Sequence, residues 1–179
     1  MLKNMFENKK INKFLEKVEK IKKEHKADLS VQEDLAIAIM NVASLEEHFF
    51  FTASKTGKDK YYDLMMQMRD MRKILLKKIV KDTEGEEWCI SKHLLASSMR
   101  LIEVGTKYYD QGKKDEAKDL FAKAYNMYSL FFGINLKLID TDEAKKVNKE
   151  QLKSGSEKED DITKKLNSLV EELVDCCDE

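Results

Sequence analysis

Cys89 and His93 stand four residues apart in "EEWCISKHLL". On a helix that spacing puts both side chains on one face, because residues i and i+4 are neighbours one turn apart. A thiolate and an imidazole so placed can supply two of the four ligands of a zinc ion. Glu86 falls on the same flank, and Glu47 or His48 can come from a second helix. The competing role is structural, with cysteine as a small hydrophobe and histidine held by a hydrogen bond. Di-iron bundles use Glu-x-x-His pairs, and the chain contains none. A cysteine nucleophile needs a paired histidine and oxyanion donors, and neither is legible around Cys89. Packing is therefore the expected role of this pair, and no cofactor and no catalytic residue are expected. Glu47, Cys89 and His93 form the candidate metal set of the rival reading.

Two further stretches carry charge in a pattern. "ASKTGKDK", residues 53–60, contains the Gly-Lys of a phosphate loop. That loop also requires a glycine five residues earlier and a hydroxyl residue after the lysine. Thr52 and Asp59 occupy those positions, so the stretch is expected to be a helix–helix turn. "RKILLKKIVK", residues 72–81, gathers several positive charges on one side of a helix, where they can meet phosphates. No aromatic residue interleaves with them to stack on bases. A solvated face is the expectation, with nucleic-acid binding through this helix as an alternative. Methionines at 65, 66, 68 and 71 form a cluster, and methionine adapts its shape to varied partners. Most of the cluster reads as core filler. Met66 sits off the apolar stripe and is the candidate contact.

The elements that position these residues are helical. The 179 residues include no proline and six glycines, and proline is the residue that breaks helices by losing a donor and clashing with the preceding turn. Apolar spacing predicts helices over 2–26, 31–56, 59–81, 86–110 and 114–132. "SVQE", residues 30–33, has the capping-box pattern before the second of these. That helix is apolar on most sides and is expected to lie centrally. On the third, the buried stripe is read as Tyr61, Leu64, Met65, Met68, Met71, Leu75 and Ile79. Residues 141–161 are almost all polar, the composition of a linker. Ile162, Leu166, Leu169, Val170 and Leu173 then restore an amphipathic pattern over 162–175.

The stretch "LIEVGTKYYDQGKKDEAKDLFAKAYNMYS", residues 101–129, alternates small and large residues. Gly105 and Ala117 suit a close approach of two helices, and Tyr108 and Phe121 fill the gaps between. Gly112 suits the left-handed position that ends a helix. With Leu101, Val104 and Ala124, these residues resemble the tetratricopeptide repeat, a 34-residue helix–turn–helix unit. The resemblance covers about residues 98–131 in a single copy. Leu101 replaces the first signature aromatic and Ser129 the closing proline. The resemblance implies a closely packed hairpin and, because such repeats bind peptides, a protein-binding face that includes Tyr108 and Tyr109.

The charge is unevenly spread. Residues 155–179 hold nine acids and three lysines, which leaves 30 of the 33 basic and 25 of the 34 acidic side chains to the first 154 residues. An acidic tail can dock on its own basic body. Three cysteines are too few for a disulfide framework, and "MLKNMFENKK" lacks the apolar core of a signal peptide. A cytoplasmic protein with no membrane segment is expected. The reading is thus all-α: a bundle of about five helices over 1–140 ending in a tetratricopeptide-like hairpin, a charged linker over 141–161, and a short acidic helix within 162–179. The expected function is a non-enzymatic protein–protein interaction or adaptor module, with a protein partner or a second copy as its ligand. The expected contacts are Met66, Tyr108, Tyr109, Leu166, Leu169 and Leu173. The alternatives are a ligand- or metal-binding bundle and a nucleic-acid-binding bundle.

Overall fold

The computed structural model describes residues 16, 17, 19, 20, 29–81, 83, 85–140 and 161–173, with side chains in the last segment over 163–171. It is all-helical. Among the described residues five helices are delimited: α1 Ser30–Thr56, α2 Lys60–Ile79, α3 Glu86–Asp110, α4 Lys114–Asn135 and α5 Asp161–Leu173. Of the predicted first helix, the four described residues 16, 17, 19 and 20 are helical. The polar segment expected as a linker lies outside the described residues except for Asp161, which opens α5.

Both hairpin turns are built as glycine chemistry requires. Gly57 ends α1 at φ +63° and donates its N–H to the Ala53 carbonyl. The Gly-Lys stretch is therefore a helix–helix turn. Gly112 closes α3 at φ +79°, and Lys113 N–H reaches back to the Tyr108 carbonyl at 3.0 Å. This left-handed residue satisfies the last carbonyls of the helix. Asp115 and Glu116 then occupy the first turn of α4, where acids favour the exposed N–H groups.

The α3–α4 hairpin packs as its small residues demand. A Cβ on Gly105 would come within 2.5 Å of the Phe121 ring, so only glycine lets that ring lie against the α3 backbone. Ala117 and Ala124 are buried, and Ser98 Oγ donates to the Ala124 carbonyl at 2.9 Å. Ser98 thus satisfies its own hydroxyl while joining the helices.

The core centres on the end of α4. Tyr128, Ser129, Leu130, Phe131, Phe132, Gly133 and Ile134 are all buried. A helical run buried on every face must be covered from every side. Ala36, Ile39 and Met40 of α1, Leu76 and Ile79 of α2, Leu94 and Leu95 of α3, and Leu166, Leu169 and Val170 of α5 join the same cluster. The chain itself helps: Leu138 and Ile139 fold back, their N–H groups bonding the Gly133 carbonyl at 2.9 and 3.2 Å. Lys17 Nζ donates to the Lys137 carbonyl at 2.9 Å on the outer side of this turn.

Four expectations are corrected. Helix α4 runs to Asn135 rather than 132, because Gly133 is helical and buried. Helix α1 starts at Ser30 with Leu29 as the preceding cap residue, so Ser30 lies inside the first turn. Its second half is not buried on most sides: Leu45, Phe50 and Phe51 are exposed, while Ala53 between the two hairpin helices is buried. On α2 the buried stripe passes through Arg72, 5% exposed, and Leu76, while Met71 is 45% exposed. The helical spacing 61, 65, 68, 72, 76, 79 is regular. Its fourth member was hidden because it is charged.

Helix α5 docks on its own body. Thr163, Leu166, Leu169 and Val170 are buried against the core. Gly133 leaves room for it, since a Cβ there would stand 3.1 Å from Leu166 Cδ1. Asn167 Nδ2 donates to Asn126 Oδ1 at 2.6 Å, which fixes the register of α5 on α4.

Two outcomes follow from this packing. Ala117→Leu inserts three carbons into a filled contact and should cost ~1–3 kcal/mol in thermal or urea unfolding; an unchanged melt would mean α3 and α4 do not pack there. Leu166→Ala should cost ~2–5 kcal/mol if α5 unfolds with the whole domain. In amide hydrogen exchange the acceleration should then be shared by α1 and α5, and acceleration confined to 161–173 would mean that α5 opens by itself.

Candidate interaction groove

Helices α1 and α2 form one hairpin and α3 and α4 another, with α1 against α3. Two clefts open around these hairpins. The more apolar is a groove of about 540 Å³ walled by four helices. Ile37 and Met40 come from α1, Ile102 from α3, Phe121, Tyr125 and Tyr128 from α4. Small Ser98 and Ala124 make its floor, where the Ser98–Ala124 hydrogen bond has already used the polar atoms. The Phe121 ring is available as a wall because Gly105 lets it lie down on α3.

Two residues on this lining are charged, and both are carboxylates: Glu33 at the start of α1 and Glu171 on α5. Tyr125 lies between them and contacts the Asn167 carbonyl through its hydroxyl at 3.5 Å. Burial, then Glu171, then Glu33 push its hydroxyl pKa up from the ordinary 10.0. Each cause disfavours a second negative charge in this place.

The other cleft, about 870 Å³, lies along the second half of α1. Glu46, Glu47, His48, Phe50, Phe51 and Arg100 are among its lining residues. It mixes apolar side chains with paired charges: Phe50, Phe51 and Met65 line it, and Arg100 of α3 makes an ion pair with Glu47. Deeper in, Arg72 of α2 makes a two-pronged contact with Glu46 of α1, Nε to Oε1 and the second prong to Oε2 at 3.3 Å. Both side chains of that pair are largely withdrawn from water.

The candidate metal set is not brought together. Glu47 meets Arg100, which lies seven residues beyond His93 and so about 10 Å further along α3. Cys89 and His93 are both exposed. Among the described residues no group of three or more His, Cys, Asp or Glu is placed to hold a metal ion. His93 has its pKa lowered from 6.5 by partial burial and by the positive charges of Lys92 and Arg72, surroundings that repel a cation.

The expected contact residues fall into three groups. Met66 is 48% exposed on the outer face of α2, and Tyr109 is similarly exposed. Tyr108 is half-buried, and Lys113 and Lys114 lie over the Tyr108 and Tyr109 rings at 5.1 and 5.5 Å. Leu166 and Leu169 are packing residues of this body and face no outside partner here, because α5 has turned them into the core. The Leu173 side chain lies outside the described residues. On the basic stretch 72–81, Arg72 is spent on Glu46 and Lys73 pairs with Asp70 at 3.1 Å. The stripe open to phosphates is shorter than its sequence.

Ile37, Ile102 and Tyr125 carry the groove and were not singled out by motif. Their signal was indirect. A helix apolar on most sides, in a bundle this small, must leave some of that surface uncovered. The fold and groove together define an all-α bundle of two hairpins with an acid-rimmed apolar groove. No family model, curated protein or solved structure matches the chain. Among the described residues no helix is long and apolar enough to cross a membrane.

Two measurements probe the charged groups. Arg72→Met leaves Glu46 without its partner, and removing one member of a buried pair costs ~3–5 kcal/mol; a loss below about 1 kcal/mol would mean the pair is solvated. The His93 ring protons should titrate with a midpoint below 6.5 by NMR. A lowered folded pKa means stability present above the unfolded pKa of 6.5 and lost as pH falls through the folded one. Arg72→Met should move that midpoint up, and a midpoint at or above 6.5 in the parent protein would contradict the surroundings described.

Proposed function

We propose that the protein is a non-enzymatic helical interaction module that takes a partner protein in the groove between its hairpins. The observation that supports this reading is the groove itself: Ile37, Ile102 and Tyr125 stand 43%, 39% and 39% exposed around a continuous apolar floor. Contiguous apolar surface rimmed by polar groups is the usual mark of a protein contact. The α3–α4 hairpin, with its tetratricopeptide-like spacing, supplies most of the wall. The wide separation of Glu47 from His93 weighs against the metal-handling alternative. The pairing of Arg72 and Lys73 with acids weighs against phosphate binding by α2. A cytoplasmic setting belongs to the same proposal, since the exposed Cys89 thiol suits a reducing compartment.

Affinity capture tests it with three baits: the parent chain, Ile102→Lys in the groove, and Met66→Lys on α2. Both positions are exposed, so all three should melt alike. A partner held by the parent and by Met66→Lys but lost from Ile102→Lys is the expected result. A partner lost from Met66→Lys instead would move the interface to α2, and identical capture by all three would remove the groove reading.

A further inference from the structure

We infer that α5 exchanges between copies of this chain: the seat it occupies on α4 takes the α5 of a second copy, and two chains pair by reciprocal exchange. The surface concerned is the face of α4 beneath α5, not the groove.

The seat is shaped for this helix. Leu166, Leu169 and Val170 are buried in it together with Thr163, and α4 is the helix they chiefly pack against. Gly133 supplies the notch, since a Cβ there would stand 3.1 Å from Leu166 Cδ1. Asn126 of α4 is buried and accepts from Asn167 Nδ2 at 2.6 Å. The Tyr125 hydroxyl donates to the Asn167 carbonyl at 3.5 Å. The face therefore accepts an apolar stripe at i, i+3 and i+4 with an asparagine at i+1. Every copy of the chain carries that pattern at 166–170.

The tether allows α5 to reach another copy. Three residues join α1 to α2, and three join α3 to α4. Twenty residues, 141–160, separate Asp140 from Asp161. Both ends of that segment leave from one place: a Cβ on Gly133 would meet Ile139 and Leu166 alike, each at 3.1 Å. Asp140 follows Ile139 directly, and Asp161 lies five positions before Leu166, about 7.5 Å along a helix. Connections between bundle helices need only about 2–8 residues. Twenty residues can span at most ~70 Å, far beyond a return to Gly133.

The contacts of α5 are the same on either copy, so the tether alone sets the balance between them. A tether longer than its span lowers the effective concentration of the helix it carries. Exchange of an identical element is for this reason a low-cost route to a dimer. It also joins the two copies functionally. Glu171 lines the groove, so each groove of an exchanged pair is completed by the other chain.

Sedimentation of the full chain from about 10 μM to about 1 mM covers the range in which a second copy competes with a tether. The dimer fraction should rise roughly tenfold or more across it. Ser168 is exposed, so Ser168→Pro breaks α5 without altering the seat and should abolish the dimer. A fluorescein-labelled peptide of residues 160–174 should bind the Ser168→Pro chain saturably at one site by anisotropy. It should bind the parent roughly tenfold more weakly or less, because the parent's own α5 competes. The same peptide with Leu166→Lys should not bind, and Ile102→Lys in the Ser168→Pro chain should leave binding intact.

A parent that stays monomeric to about 1 mM overturns the exchange, because the tether then always wins. A dimer that survives Ser168→Pro overturns it as well, since the copies then pair through another surface. So does a peptide that fails to bind the Ser168→Pro chain, or one whose binding is lost with Ile102→Lys. Where circular dichroism shows that Ser168→Pro does not fold, Leu166→Ala takes its place and must lower the dimer and tighten the peptide relative to the parent. The groove reading fails separately, when native capture is indifferent to Ile102→Lys.

Discussion

The burial of the last turns of α4 on every side is the constraint on which the rest of the fold depends. From Tyr128 to Ile134 no face of the helix is left to water. Such a run can be stable only where other apolar surfaces surround it, and the chain is arranged to provide them. Helix α3 covers one side through Leu94 and Leu95, α1 another through Ile39 and Met40, and α5 a third through Leu166 and Val170. The chain after Asn135 turns back at Lys137, φ +57°, so that Leu138 and Ile139 close the end. Phe131 and Phe132 meet edge to face at 5.2 Å, and Tyr128 meets Phe132 at 5.1 Å, the geometry aromatic rings prefer.

The α1–α2 hairpin is held differently. Its outer helix packs mainly on α1, so its buried stripe is narrow and has room for a charged member. Arg72 fills that place with its guanidinium forked onto Glu46. Two charges out of water gain little net stability against an apolar pair of the same volume. Their value here is positional. The fork fixes which turn of α2 faces which turn of α1, where surrounding methionines would tolerate a slip. The Arg100–Glu47 pair, at the surface, contributes little energy and ties the same region of α1 to α3.

The backbone of this arrangement was legible in the sequence. Absence of proline, the glycines at 57 and 112, and the apolar periods located all five of these helices within three residues at each end. Gly105 and Ala117 were read correctly as close-approach points because a hairpin leaves few other uses for small residues inside a helix. What was not legible has a common cause. Periodicity weighs side chains one helix at a time, and burial is decided by what lies opposite. Met71 was placed inside and Arg72 outside because type was trusted over spacing, and Glu46, 26 residues earlier, is what reverses that order. Likewise Ile37 and Ile102 belong to apolar faces that read as core, yet both line the groove and are more than a third exposed. Cys89 and His93 share a face as the spacing required, yet their exposure and the distance to Glu47 deny them a third ligand from that residue.

The core and the groove are two consequences of one packing decision. Gly105 lets Phe121 lie on α3, and that ring then serves as a wall of the groove. Gly133 lets α5 approach α4, and α5 then carries Glu171 to the rim. Small residues that bring helices together inside thus decide what stands outside. Of the two carboxylates on its lining, Glu171 comes from α5 and Glu33 from α1, while its floor comes from α3 and α4. A groove lined from distant segments in this way is complete only in the folded state with α5 in place. Anything that loosens Leu166 and Val170 from the core moves Glu171 away from the groove, whose other lining residues belong to α1, α3 and α4.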